Sequence, residues 1–167
     1  MNEAELYEPV MSCLREAFAA VGKTVRLEVG ATMGLSEQVK RAIPEGKEIV
    51  FSFLRQHRPD IIGVIEGEPL LSRLFIAEVK AKSLTLENVY QTKRYKDLLE
   101  AKAGFLVTIH PIPEDLRRLC SQNWDILSSA SDSAYKFLAI CRFDIGTGKF
   151  IDWFRENPFQ KEHFWKF

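Results

Sequence analysis

Hydrophobic and polar positions in this chain follow one another in blocks with the spacing of helices and strands. Residues 3–20 carry apolar side chains at helical spacing, which predicts an amphipathic helix closed by Gly22. Because Pro9 falls inside this block, we expect the regular helix to begin only near Tyr7 or Glu8.

The middle of the chain has short apolar runs typical of strands, and then a long helical block over residues 84–102. Ser83 or Thr85 can cap this helix, Glu87 and Lys102 suit its first and last turns, and Gly104 suits the position after its end. Between the first two strands, Ser36 can cap a short helix, Glu37 to Ile43. The predicted strands are residues 24–29, 48–54, 60–65, 74–80 and 105–109.

The last third of the chain predicts small elements: a short helix, a strand, a loop and a hairpin around Gly146 and Gly148. In order they are residues 114–122, 124–127, 128–133, and 135–143 with 149–154.

The order helix, strands, helix, strand in residues 3–109 predicts an α/β fold, with a mixed central sheet flanked by helices on both faces. A chain of 167 residues with 46% hydrophobic residues can bury one core, so we treat residues 1–167 as a single domain. Its core is about residues 3–109, and residues 110–167 form a C-terminal extension.

Composition indicates the cellular environment of the protein. No apolar run approaches the roughly 18 residues of a membrane span, and the acidic N-terminus lacks the basic start of a signal peptide. Cys13, Cys120 and Cys141 form no CxxC pair, which favours reduced thiols that fill a core in the cytoplasm.

Net charge excludes one mode of binding and leaves another open. The 23 basic and 23 acidic side chains balance, which argues against avid coating of nucleic acid without regard to sequence. Residues 73–102 nevertheless hold seven basic side chains against four acidic ones. This local excess suits a phosphate-bearing substrate, and an ordinary solvated helix face is the alternative.

Two acids and a lysine fall on neighbouring predicted strands. Asp60 begins one strand, and Glu78 and Lys80 lie two residues apart on the next, so their side chains share a face. If the strands pair antiparallel about Pro69, Asp60 lies opposite Glu78, at the roughly 5 Å Cβ separation of cross-strand neighbours. Charged side chains rarely lie unpaired in buried strands, which favours a functional role for these residues. The alternative is that Glu78 and Lys80 belong to the polar face of a surface strand.

Converging carboxylates bind hard divalent cations through oxygen, and such a cation prepares water for attack on phosphate. We therefore expect Asp60, Glu78 and the backbone carbonyl of Val79 to hold Mg²⁺ or Mn²⁺. Lys80 would then orient the attacking water and stabilise charge in the transition state.

The helix after these strands carries a second polar pair. Gln91 and Tyr95 are an i, i+4 pair, and they share one helical stripe with Leu84, Leu98 and Lys102. We expect this stripe to face the acids and to contact phosphate or a base of the substrate. The alternative is that Tyr95 and Leu98 are plain core and Gln91 lies on the surface.

Together these positions resemble the PD-(D/E)xK nuclease superfamily, and the glutamine–tyrosine pair is similar to that of RecB-type nuclease domains. The resemblance covers about residues 3–109 and implies a restriction-endonuclease-like αβββαβ core. It implies a hydrolase that cuts phosphodiester bonds with Mg²⁺, mostly in DNA, in restriction, recombination, repair or defence. The matching motifs, in chain order, are Arg58-Pro59-Asp60, Glu78-Val79-Lys80 and Gln91-x-x-x-Tyr95.

The resemblance also assigns roles to residues. It makes Asp60 and Glu78 metal ligands, Lys80 the catalytic lysine, and Gln91 and Tyr95 supporting substrate contacts.

Many such domains also use a glutamate of the first helix, for which Glu3, Glu5 and Glu8 compete. Glu3 lies on the inward stripe and the other two project outward, so we choose Glu3 as a further metal ligand.

Two regions depart from the family pattern. Residues 30–47 look like an insertion before the catalytic strands, which leaves the identity of the first core strand open. The aromatic tail can pack on the core, form a homodimer interface or stack unpaired bases. Its residues are Trp153, Phe154, Phe159, Phe164, Trp165 and Phe167.

Three readings of function follow: a nuclease acting on DNA or RNA, a non-catalytic nuclease-like module that binds nucleic acid or a partner protein, and an intracellular structural protein with accidental motif matches.

Overall fold

A computed structural model of the chain describes residues 2–31, 34–53, 58–70, 73–128 and 136–165. Short 3₁₀ helices cover Trp124–Leu127, Pro158–Gln160 and Glu162–Trp165. The other elements, in chain order, are α1 (Ala4–Ala20), β1 (Val25–Val29), α2 (Glu37–Ala42), α3 (Glu48–Phe53), β2 (Ile61–Ile65), β3 (Leu74–Lys80), α4 (Leu86–Leu98), β4 (Ala103–Thr108), α5 (Glu114–Gln122), β5 (Phe137–Asp144) and β6 (Lys149–Ile151).

The strands form one six-stranded mixed sheet in the order β1-β2-β3-β4-β5-β6. Pairing is antiparallel from β1 to β3, parallel from β3 to β5, and antiparallel again between β5 and β6. Ile61 lies opposite Ala77, which brings the residue before β2, Asp60, alongside Glu78. The predicted antiparallel pairing of the two acid-bearing strands is therefore confirmed, and β1 precedes them in the same sheet.

Helices cover both faces of the sheet, as predicted. One face packs on α1, where Phe18 meets Phe75 and Phe105. The other face packs on α2 and α4, and its core includes Val39, Ile76 and Tyr95. Alternation along β3 puts Glu78 and Lys80 on the same face as Ile76, at its rim.

Helix α1 starts earlier than the sequence predicts. We expected a regular helix only from Tyr7 or Glu8, but α1 begins at Ala4 and contains Pro9. A proline near the start of a helix removes one backbone hydrogen bond, and full burial of Leu6 and Leu14 offsets that loss.

Two predicted strands are helical. Residues 48–53 form α3, and Trp124–Leu127 is a 3₁₀ helix. In α3, Val50 is buried in the core cluster that includes Val39 and Ala42 of α2. Strand propensity therefore gives way to tertiary context, and Leu54 lies outside the described residues.

The end of α4 also differs from the prediction. The helix caps on Thr85, as one of the two candidates, but ends at Leu98 and not at Lys102. Glu100 takes the left-handed conformation, with φ 52°, and the Ala101 N–H donates to the Lys96 carbonyl at 2.8 Å. This C-terminal motif usually takes glycine, and Gly104 instead lies within β4.

The aromatic tail packs on the core. Trp165 is 3% exposed, its indole N–H donates to the Pro158 carbonyl at 2.9 Å, and its ring stacks on Phe159. Phe167 and Tyr135 lie outside the described residues. All three cysteines are buried and free, as the sequence predicts.

The hairpin strands are Phe137–Asp144 and Lys149–Ile151, so the second is shorter than the predicted 149–154. Within the described parts of the chain, no helix combines the length and the apolar character that crossing a membrane requires.

Candidate functional site

Asp60 and Glu78 form a buried pair of acids at one end of β2 and β3. The Asp60 side chain is 11% exposed and that of Glu78 is 1% exposed. The Asp60 N–H donates to Glu78 Oε1 at 3.2 Å, and the Val79 N–H donates to Asp60 Oδ2 at 2.8 Å. The ends of the two strands are therefore tied together through the carboxylates themselves.

Gly30 allows this arrangement. Its N–H donates to the Asp60 carbonyl at 2.9 Å. A Cβ at position 30 would lie 2.4 Å from the Pro59 carbonyl oxygen, far closer than real Cβ atoms approach. Only glycine lets the turn after β1 approach the Pro59-Asp60 segment this closely.

Lys80 joins the two acids. Its Nζ donates to Glu78 Oε2 at 3.0 Å and lies 4.0 Å from Asp60 Oδ2, with a side chain 13% exposed. The structure thus brings together the three residues predicted as the catalytic set. A lysine between two buried carboxylates offsets their desolvation and presents one positive charge at the rim of the sheet.

Tyr7 is a site residue that sequence reasoning missed. From α1, its hydroxyl donates to Asp60 Oδ1 at 2.8 Å. Tyr7 lies on the inward stripe of the predicted helix, which suggested an apolar core position. The same stripe carries Glu3, a candidate metal ligand, one turn earlier, and this proximity could have indicated that Tyr7 lies at the site. Asp60 therefore has a partner on each oxygen, Tyr7 on one and Val79 on the other.

Burial and the charges of the two acids shift the pKa values of Glu78, Lys80 and Tyr7. Burial, and then the Asp60 charge, raises the pKa of Glu78 to about 7, although Lys80 opposes both. Burial acts to lower the pKa of Lys80, but the charges of Glu78 and Asp60 outweigh it and raise that pKa. Burial and the hydrogen bond to Asp60 strongly raise the pKa of Tyr7. At neutral pH, Lys80 is thus an ammonium and Tyr7 a neutral hydrogen-bond donor.

Gln91 and Tyr95 lie on α4, on the sheet face that carries the acids. Tyr95 is fully buried among the residues of that face, and its hydroxyl accepts a hydrogen bond from Gln91 Nε2 at 3.3 Å. Burial raises the pKa of Tyr95, with a smaller contribution from the Glu78 charge. Tyr95 therefore has the core position of our alternative interpretation, while Leu98, 40% exposed, does not.

Glu3 and the backbone carbonyl of Val79 remain predicted metal ligands. Glu3 immediately precedes α1, and its charge contributes to the raised pKa values of Tyr7 and Lys80, so it lies near these two groups. No described contact ties it to Asp60 or Glu78. Val79 uses its N–H to hold Asp60, and its carbonyl stays a predicted ligand.

The donor set fits a hard divalent cation. Both acids supply carboxylate oxygens, which Mg²⁺ and Mn²⁺ prefer, and the repulsion that raises the pKa of Glu78 would be relieved by such a cation. Among the described residues, no group of three or more His, Cys, Asp or Glu side chains is arranged to hold a metal ion. Any metal here would rest on two carboxylates, backbone oxygen and water.

Comparisons with protein-family models, with curated proteins and with solved structures found no match to this chain.

Proposed function

We propose that this protein is a metal-dependent nuclease that hydrolyses phosphodiester bonds, with a restriction-endonuclease-like core formed by α1, β1, β2, β3, α4 and β4. The observation that carries the proposal is the convergence of Asp60, Glu78 and Lys80 at one end of the sheet. DNA is the proposed substrate, in line with the resemblance of the three motifs.

Each residue has a role that its position supports. Asp60 and Glu78 would hold Mg²⁺ or Mn²⁺, with the Val79 carbonyl and Glu3 as further ligands. The bound ion would polarise the phosphate and lower the pKa of water. Lys80, kept protonated by its two acids, would align the attacking water and stabilise negative charge that develops on phosphate.

Residues behind the acids would act by positioning. Tyr7 holds Asp60 through a 2.8 Å hydrogen bond and so limits the directions in which its carboxylate can point. Gln91, 3.3 Å from the Tyr95 hydroxyl, would contact substrate phosphate from α4.

The test is cleavage of a panel of duplex, single-stranded and branched DNA together with RNA, in Mg²⁺, Mn²⁺ and EDTA. We expect cutting that requires the metal and that falls by about 100-fold or more in Lys80→Ala. Arg118→Ala, an exposed substitution on α5, is the control and should cut like the wild type. Circular dichroism verifies that each variant is folded.

Glu78→Ala sharpens the assignment. We expect a folded variant without cleavage, and calorimetric titration should show the loss of Mn²⁺ binding. A folded wild type that neither cuts nor binds Mn²⁺ would contradict the nuclease, as would cutting that survives in Lys80→Ala.

A second candidate is a nuclease-like module that binds nucleic acid or a partner protein without cutting. The specific observation in its favour is that each carboxylate oxygen of Asp60 and Glu78 already has a protein donor. Such a network can hold the strand ends without a metal. Tight binding of DNA in EDTA, with no cutting in any metal, would identify this module.

A further inference from the structure

A pocket of about 620 Å³, lined in part by Arg58, is not explained by the chemistry above. This volume falls within the roughly 300–1,000 Å³ of sites that bind small molecules. Its apolar wall is formed by Leu35, Ile43 and Leu70, and its basic side chains are Lys40, Arg41 and Arg58.

Most of the described residues that line this pocket belong to residues 30–47, the region that we predicted to be an insertion. Ser36 caps α2, and Leu35 and Ile43 on either side of that helix are buried against the sheet at 8% and 4% exposure. The apolar wall is therefore fixed by the core of the protein. Leu70, from the loop between β2 and β3, is 36% exposed and also lines the pocket.

Charge gives the pocket a preference for anions. Among its described lining residues, three basic side chains stand against Glu45 alone. Lys40 also pairs with Glu37 at 2.9 Å, but both side chains are more than half exposed, so the pair contributes little. A site with apolar walls and a basic rim matches a flat aromatic base attached to a phosphate.

The pocket and the candidate catalytic site share a chain segment. Arg58 lies two residues before Asp60, so the Cα atoms of the two residues lie within about 7 Å of each other. Gly34 of the pocket follows Gly30, whose N–H holds the Asp60 carbonyl, by four residues. A strand with one phosphate at the acids can therefore place a neighbouring nucleotide in the pocket.

We propose that this pocket binds one unpaired nucleotide of the strand to be cut, with its base against Leu35, Ile43 and Leu70 and its phosphate on Arg41 and Lys40. A base inside a duplex is stacked and paired, so it cannot enter such a pocket without being extruded. The protein therefore prefers single-stranded or branched nucleic acid to a plain duplex. This inference rests on the proposed function, since it assigns the substrate class of the same site.

Binding in EDTA tests the pocket without any cleavage. The probes are a short fluorescein-labelled oligodeoxythymidine, a duplex of the same length, and an abasic strand with the same phosphates, followed by fluorescence anisotropy. We expect the order oligodeoxythymidine, abasic strand, duplex, from tightest to weakest. Equal affinity for duplex and single strand would overturn the inference.

Two substitutions with matched controls separate the contribution of the phosphate to binding from that of the base. Arg41→Glu should weaken binding of oligodeoxythymidine by about tenfold, whereas Arg118→Glu, the same charge change on exposed α5, should change it less than about twofold. Leu70→Ala should abolish the preference for oligodeoxythymidine over the abasic strand. Ile145→Ala, at a similarly exposed apolar position, should keep it.

Failure of the pocket and failure of the nuclease give different results. If cleavage depends on Lys80 but Arg41→Glu does not change strand binding, the proposal for the pocket is overturned and the proposed nuclease function stands. Selective, Arg41-dependent binding of unpaired strands without cleavage supports the pocket and overturns the nuclease. No binding of any strand and no cleavage overturn both.

Discussion

Two buried lysines lie at opposite ends of the neighbouring strands β3 and β4, and their surroundings differ. Lys80 ends β3, next to Glu78 and Asp60, and its pKa is raised. Lys102 precedes β4 and is 2% exposed, and burial lowers its pKa to about 8, with Glu68 opposing the shift and Lys136 adding to it. Burial favours the neutral form of both lysines, and the adjacent acids decide the outcome.

This comparison bears on the proposed function because acids strengthen the positive charge of Lys80, whereas burial weakens that of Lys102. Stabilising an anionic phosphate requires a cation at neutral pH, which Lys80 provides. Lys102 is poised to release its proton at mildly alkaline pH, and Glu68 is shared with Lys23 through an ion pair. The firmer charge of Lys80 supports the phosphate chemistry that we propose for the end of the sheet that carries Asp60.

The largest expected effect comes from replacing each lysine by methionine. In EDTA at pH 8, Lys80→Met should lower the free energy of unfolding by about 3 kcal/mol, because it leaves two buried acids without their cation. Lys102→Met should change it by less than about 1 kcal/mol in either direction, because methionine keeps the apolar stem. Urea denaturation measures both, and equal losses would break the comparison.

The pH dependence of stability should have opposite signs at the two ends. Because the pKa of Glu78 in the folded protein, about 7, exceeds the ordinary 4.5, the folded state binds more protons between these values. Stability therefore falls as pH rises through that window, by at most about 3 kcal/mol in metal-free protein. Lys102 acts in reverse: its pKa of about 8 lies below 10.5, so stability rises between those values.

Glu78→Gln should flatten the first slope and leave the second, and Lys102→Met should do the opposite. Urea denaturation at pH values from 4.5 to 10.5 measures both slopes. A wild-type slope below pH 7 that persists in Glu78→Gln would assign the titration to another group.

Tyr7→Phe should give a smaller effect, confined to the Asp60 end. The substitution removes the 2.8 Å hydrogen bond to Asp60 and should cost about 1–2 kcal/mol in EDTA. Calorimetric titration should also show several-fold weaker Mn²⁺ binding, since the ligand is less firmly oriented. Tyr90→Phe, on the exposed side of α4, is the matched control, and an equal loss there would remove Tyr7 from the site.

Gln91→Ala should give the smallest effect. We expect cleavage to slow by about three- to tenfold with stability unchanged, because Gln91 holds the Tyr95 hydroxyl from α4 and, in the proposed function, would only support the substrate. Single-turnover cleavage measures the rate, with the exposed Gln122→Ala on α5 as control. An unchanged rate would mean that the Gln91–Tyr95 pair is only part of the core.

The sequence predicted the acid-bearing strands well because their evidence is local. The bounds of β3, Leu74–Lys80, follow from one apolar run, and the position of Asp60 opposite Glu78 follows from antiparallel pairing alone. The capping pattern predicted the start of α2 at Glu37 and offered Thr85 as one of two starts for α4.

What sequence reasoning missed depends on tertiary context. Residues 48–53 have strand propensity, but in α3 they place Val50 in the core cluster shared with α2. We predicted Lys102 in the last turn of the helix over residues 84–102, because nothing local shows that α4 ends at Leu98 with Glu100 in a left-handed conformation. The Tyr7 hydroxyl meets Asp60 across 53 positions of sequence, and only the folded chain reveals that contact.

Gly30 gives the chain a marker that can be followed through evolution. Since any side chain there would displace Pro59 and with it Asp60, a descendant that keeps the acid must also keep this glycine. A lineage that abandons the acid is freed to accept other residues at position 30. Glycine and aspartate 30 positions apart should therefore covary among relatives of this chain, and this pair can be added to the three motifs when such relatives are sought.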